Sequence, residues 1–286
     1  MAYHVARASE QQFAPVEGAP GFEAAVLVGP GIGSVHMELA LCRLAPGAST
    51  PPLRHPFEES WYVLSGSGSA STAHVSYAVS EASFGMTPVT APERKTAGDE
   101  GMTWLRMRTP QAQAADPQHG EIPADDWTPS TELLTPDETD PRSMWAGQFR
   151  DEDMPPHGPI GMPGYHGPNI KSISIRMLID ELLGATQHTH FMVEFGSRDP
   201  NAQYALEHYH PFEEAYHLLT GSAHGILDGE HVDISAGDTV WTGVGATHGF
   251  YTTSEEPLRW LEVQTPKPPT QHAMYFPRDW SGLAGS

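Results

Sequence analysis

Apolar and polar residues alternate in short runs along much of this 286-residue chain. Residues 51–66 and 208–265 are built of such runs, rich in Val, Leu, Tyr, Trp and Thr and punctuated by Gly, Asp and Pro, with almost no helical period. Alternation with period two turns one face of a segment to a core and the other outward. The pattern therefore predicts an all-β sandwich or barrel, with Leu218, Val240 and Leu261 among its buried positions. Asp228-Gly229, between Ala223-His-Gly-Ile-Leu227 and His231-Val-Asp-Ile234, predicts a hairpin turn.

The alternating pattern occurs twice. His55-Pro-Phe-Glu-Glu59-Ser-Trp-Tyr-Val-Leu-Ser-Gly66 matches His210-Pro-Phe-Glu-Glu214-Ala-Tyr-His-Leu-Leu-Thr-Gly221, and Trp104-Leu-Arg-Met-Arg-Thr-Pro110 matches Trp260-Leu-Glu-Val-Gln-Thr-Pro266. The length also suits two domains. They are expected over residues 1–110 and 169–286, and His36 is expected to mirror His190. Residues 111–168 are rich in Pro, Asp and Glu and lack periodicity apart from Met144-Trp-Ala-Gly-Gln-Phe149, so they read as a linker. A linker of that length is expected to wrap the domains and pack Trp145 and Phe149 on them.

The second copy carries the candidate chemistry. On a strand, His208 and His210 fall on one face, and Glu214 follows a Pro211-Phe212-Glu213 bend that brings its carboxylate to them. His248 arrives from a later strand after a Gly-rich turn. Imidazole nitrogens with one carboxylate oxygen suit a divalent metal, Fe2+ or Mn2+ first, with Zn2+, Ni2+, Co2+ and Cu2+ as alternatives. Three buried histidines bonding only one another would be costly without a metal. In the first copy Leu53 stands where His208 does, and Thr96 is read at the place of His248, so one metal per chain is expected. Tyr216, two residues after Glu214, and His190, on the strand before the motif, are the expected catalytic residues around the metal. His188 is read as an inner polar group or as exposed at the barrel mouth, and His217 as outward-pointing. Arg54, His55 and Glu59 are expected to form an ion-paired remnant, with an effector pocket as the alternative.

Charge and cysteine content narrow the setting. Asp and Glu number 36 against 15 Lys and Arg, a formal charge of −21, which disfavours nucleic acid and anionic membranes as partners. Cys42 is the single cysteine, so no disulfide framework exists. With no basic leader or apolar span in view, a soluble cytoplasmic protein is expected, with a small-molecule substrate and room for a homo-oligomer.

The spacing His208-x-His210-x3-Glu214-x6-Gly221, then Gly237-x5-Gly243-x-Gly245-x2-His248, resembles the metal-binding motifs of cupins. With its repeat, the whole chain is similar to a bicupin. The resemblance implies two jelly-roll barrels of the double-stranded β-helix kind. Gly243 replaces the usual Pro of the motif and Thr252 the usual Asn. The C-terminal half, through His190-Phe-Met-Val-Glu-Phe195 and Gly237 to Tyr251, is similar in frame to ureidoglycine aminohydrolase. In that family a single manganese sits in the C-terminal barrel, but the pattern implies Glu, His, His and Gln where this chain has His208, His210, Glu214 and His248. A three-His, one-Glu set resembles rather the quercetinase-type dioxygenases and manganese oxalate decarboxylases. The function implied is a metal-dependent enzyme on a small polar metabolite, a dioxygenase first. A hydrolase, aminohydrolase or decarboxylase is the runner-up, and a non-catalytic binding or storage bicupin the remaining alternative.

Overall fold

In the computed structural model, which describes residues 2–110, 121–157, 173–196 and 205–268, strands and turns make up nearly everything, with three short 3-10 turns and no α-helix among the described residues. Two antiparallel β-barrels result. The linker's residues 111–120 and 158–168, and the chain beyond residue 268, lie outside the described residues.

In the first barrel two long strands, Glu58–Thr72 and Pro92–Thr109, pair along most of their length and tie both faces into one sheet. Each bends at a glycine, Gly66 and Gly101, both with φ near +80°. A Cβ on Gly66 would stand 2.2 Å from the Gly101 carbonyl oxygen, so that crossing needs glycine. In the second barrel the corresponding strands are interrupted, at Gly221 and between Thr252 and Leu258, and two sheets form. The predicted hairpin joins Ser222–Leu227 to Glu230–Ser235, with Asp228 and Gly229 both at positive φ.

One strand crosses between the halves, and the linker adds another. Tyr3–Ala6, at the start of the chain, pairs with Thr239–Thr242 of the second barrel, while Ala146–Gln148 pairs with Ser83–Thr87 of the first. The strand Ala146–Gln148, with the two-residue strands Ile122–Pro123 and Leu133–Leu134, gives the linker regular structure that its composition does not announce. Its aromatics do pack: Phe149 is buried and Trp145 half-buried against the core.

Each barrel has its own core, around Trp104, Tyr77 and Val63 in the first and Phe191, Leu218, Val240 and Trp260 in the second. A third cluster lies between them, joining Leu39, Met86 and Met107 to Met192, Trp241, Leu261 and Val263. Leu218 and Val240 thus face a barrel interior, and Leu261 faces the neighbouring barrel. Two buried carboxylates fasten this interface reciprocally. Glu58 accepts hydrogen bonds from the Thr186 and Gln187 amides at 2.8 and 3.0 Å, and Glu213 from the Val35 and His36 amides at 2.8 and 3.4 Å. The partner of His36 in the repeat is therefore Gln187, and the expected match with His190 fails.

Candidate metal centre

His208 ends the strand Ala205–His208 and lies directly opposite His248, which opens His248–Thr252. Glu214 lies on Glu213–Thr220 in the other sheet of the barrel, opposite Thr242 on one side and Gln264 on the other. His210 occupies the turn between. Donor atoms of His208, His210 and His248 lie within 4.8 Å of one another, and all three rings are buried. The Glu214 Oε2 is 2.7 Å from His210 Nε2 and 3.2 Å from His248 Nε2.

The ring orientations are fixed from behind. Nδ1 of His208, His210 and His248 faces the carbonyl oxygens of Leu206, Phe212 and Ala246 at 2.7, 2.8 and 3.0 Å. A carbonyl only accepts, so each Nδ1 carries the proton and each Nε2 is left with a lone pair. Nε2 of His210 and His248 makes no hydrogen bond, and an anionic oxygen, Oε2 of Glu214, stands beside both. Lone pairs turned on a carboxylate in a dry interior repel unless a cation stands among them. These donors fit a divalent metal of the manganese-to-zinc series.

Burial, reinforced by His248 and His210, pushes the His208 pKa down to about 3, which keeps the imidazole neutral. The Glu214 Oε1 accepts a hydrogen bond from Gln264 Nε2 at 2.6 Å, and the Tyr216 hydroxyl donates to Oε2. Tyr216 is thereby turned to the carboxylate, and burial together with Glu214 and Glu262 raises its own pKa well above 10. Glu262 completes the interior. It accepts from Trp260 Nε1 at 3.0 Å and Gln264 Nε2 at 3.1 Å, and burial beside Glu214 raises its pKa well above the usual value, favouring the neutral acid.

Gln264 and Glu262 escaped the sequence reading, although the alternation Trp260, Glu262, Gln264 was a signal: polar residues at every second place on an otherwise apolar strand. His190 stands elsewhere than expected. It lies opposite Val263, whose side chain faces the other barrel, while Thr189 lies opposite Gln264 and takes the inward place. A one-residue difference on a strand reverses the face. His190 is fully buried with neither ring nitrogen bonded, and burial, with His188 beside it, lowers its pKa to about 3. His188 is buried as well, its Nδ1 2.9 Å from Glu58. His217 points out of its own barrel but is buried between the two, against Thr239 Oγ1 at 2.8 Å.

In the first barrel the same backbone places hold other groups. Leu53 lies opposite Glu93, as His208 lies opposite His248, so Glu93 and not Thr96 is the counterpart of His248. Arg108 stands for Gln264, opposite Glu59. His55, Glu59 and Glu93 remain close enough to share an ion, but Lys95 Nζ bonds Glu59 at 2.7 Å and Glu93 at 3.1 Å. Arg54 has left the cluster and pairs with exposed Asp126.

Residues 197–264 match the family model for the cupin domain. No curated protein matches the sequence. Among solved structures, the oxalate decarboxylase of Lactobacillus farciminis, in complex with formate, superposes with a TM-score of 0.64 at 15% identity, over 98% of this chain and 90% of that one. The Bacillus subtilis oxalate decarboxylase at pH 4.6 gives 0.61 at 18% identity, over 96% and 78%. Protein Ylba from E. coli gives 0.62 at 14% identity, over 92% and 90%. At such identities the likeness concerns the fold, and the fold is an all-β pair of cupin barrels in one chain.

Proposed function

We propose that the protein is a divalent-metal-dependent enzyme whose single metal is held in the second barrel by Nε2 of His208, His210 and His248 and by the Glu214 carboxylate, and which acts on a small polar metabolite. The observation that carries this reading is the tautomer lock: three backbone carbonyls leave three Nε2 lone pairs converging beside one buried carboxylate. Bound there, a metal would supply Lewis acidity and, as iron(II), reactivity toward dioxygen.

The surrounding residues have separable tasks. Gln264 and Tyr216 orient the two oxygens of Glu214, so Tyr216 acts as a positioning residue. Phe212, Phe250 and Trp260, all buried, keep water from the ligands and sharpen their electrostatics. Glu262 joins the network that reaches Glu214 through Gln264.

The first reading is an oxygen-dependent, dioxygenase-type reaction, one of the two chemistries that the three-His, one-Glu set resembles. A second reading, loss of carbon dioxide from a small carboxylate, is favoured by the whole-chain likeness to oxalate decarboxylases. Elemental analysis of protein purified without added metal separates them, followed by oxygen uptake and carbon dioxide release with a panel of small carboxylates beginning with oxalate. Iron with oxygen uptake supports the first reading, and manganese with carbon dioxide release the second. His248→Ala should lose most of the metal while staying folded; wild-type metal content in that variant would refute this ligand set.

A further inference from the structure

The first barrel retains the frame of the metal centre and replaces its contents. Four pairs of structurally matched positions differ: Leu53 for His208, Glu93 for His248, Lys95 for Phe250 and Arg108 for Gln264. Two survive, His55 for His210 and Glu59 for Glu214. The replacements are coordinated in charge. The second barrel sets one carboxylate against neutral imidazoles and needs a cation from outside. The first sets Glu59 and Glu93 against the ammonium of Lys95 and the guanidinium of Arg108, which donates to Glu59 at 2.9 Å.

Lys95 is only 3% exposed, a rare state for a lysine, and burial alone would lower its pKa; Glu59 and Glu93 outweigh that and raise it. His55 Nε2 is 3.1 Å from Glu93 and 4.0 Å from Glu59, with no hydrogen bond of acceptable geometry to either. Thr87 Oγ1 donates to Glu93 at 2.7 Å, holding the carboxylate in place much as Gln264 holds Glu214. The cavity beside Lys95 and Glu93 measures about 10 Å³, room for no more than one water, so a metabolite has no place there.

We infer that Lys95 Nζ is a built-in substitute for the metal: the ammonium fills the cation's place among His55, Glu59 and Glu93, and these three form a second divalent-metal site that opens when the amine is removed. The amine thereby confines metal to the second barrel in the native chain, and the first barrel holds its charge balance without any ion from solution. A divalent ion could not join the native cluster without displacing Lys95, because both carboxylates already share its protons.

The test compares metal content among variants, so it does not depend on how the second barrel is loaded. Wild type, Lys95→Ala and Lys95→Arg are equilibrated with manganese(II), freed of excess and analysed for bound metal, and thermal unfolding is followed with and without manganese. Lys95→Ala should carry one more equivalent per chain than wild type, and manganese should raise its unfolding temperature by more than it raises that of wild type. Lys95→Arg, which keeps a cation, should match wild type. Glu93→Gln in the Lys95→Ala background should lose the added equivalent. Should Lys95→Ala fail to fold, Leu53→His/Lys95→Met, which returns a histidine opposite Glu93, is read in the same way. A folded Lys95→Ala or Leu53→His/Lys95→Met protein with no metal beyond the wild-type content would overturn the inference. So would a wild-type protein with two equivalents, one of them lost on Glu93→Gln alone.

Discussion

At the scale of single residues, the second barrel works by constraint on Glu214. A carboxylate with one oxygen on Gln264 and the other on Tyr216 cannot turn away from His210 and His248. Groups that orient a ligand typically change metal affinity by about 10- to 100-fold when removed. Tyr216→Phe keeps the ring and deletes the donor, so metal affinity should fall by about that factor, while folding stability changes by only about 1 kcal/mol. Competition with a chelator reads the first quantity and thermal unfolding the second. A Tyr216→Phe protein as tight for metal as wild type would leave Tyr216 as filling between Phe250 and Trp260.

At the scale of elements, a strand from the first half of the chain ties it to the second barrel. Tyr3–Ala6 covers Thr239–Thr242, whose other edge lies on Glu213–Thr220, the strand of Glu214. Arg7 then pairs with Asp238 at 3.0 Å, and Gln11 donates to the Gly237 carbonyl at 2.8 Å. Removing residues 1–11 strips one edge of the strand that flanks Glu214 and bares its amides and carbonyls. At about 1 kcal/mol per lost ladder bond the cost reaches several kcal/mol, and the second barrel bears it although the deletion lies in the other half of the sequence. Limited proteolysis should then cut first within residues 205–268; cleavage confined to the first barrel would contradict this arrangement.

For the whole molecule, the interface between barrels carries a pH dependence. His190 and His217 lie there, buried and neutral, with pKa values lowered to about 3 and about 4 by burial. Unfolded, each returns to about 6.5. The unfolded chain therefore binds protons that the folded one refuses, and stability that is full above pH 6.5 is lost as pH falls toward those folded values. Each histidine contributes a slope of about 1.4 kcal/mol per pH unit in that window, so the pair gives about 3. Glu58 adds to the loss at lower pH. Burial opposes its charge, but hydrogen bonds from His188 and Thr186 hold its pKa down to about 2, so its contribution fades as pH drops through the carboxylate range. On metal-free protein His208, its pKa lowered to about 3, adds an equal share, so His190→Leu should remove about a third of the slope that the three histidines give between pH 6 and pH 4, measured by denaturant unfolding. An unchanged slope would mean that His190 is not a neutral, buried group.

The period-two alternation and the duplicated His-Pro-Phe-Glu-Glu segment were sufficient for an all-β chain of two barrels, because strand faces and glycine turns are local properties. The closeness of His208 and His210 was legible from their spacing, although the strand ends at His208 and His210 lies beyond it rather than on the same strand face. Tertiary structure decided what depends on register and partner. Counting along the chain aligned Thr96 with His248, whereas pairing to Leu53 selects Glu93. Strand parity turned His190 toward the other barrel and brought Thr189, Glu262 and Gln264 inward. The strands Tyr3–Ala6 and Ala146–Gln148 found partners across the molecule that no local pattern could name. A residue's chemistry is written in the sequence, but which face it occupies, and against which charge, is fixed only when a strand chooses its neighbour, since one residue of slip exchanges the inner set for the outer.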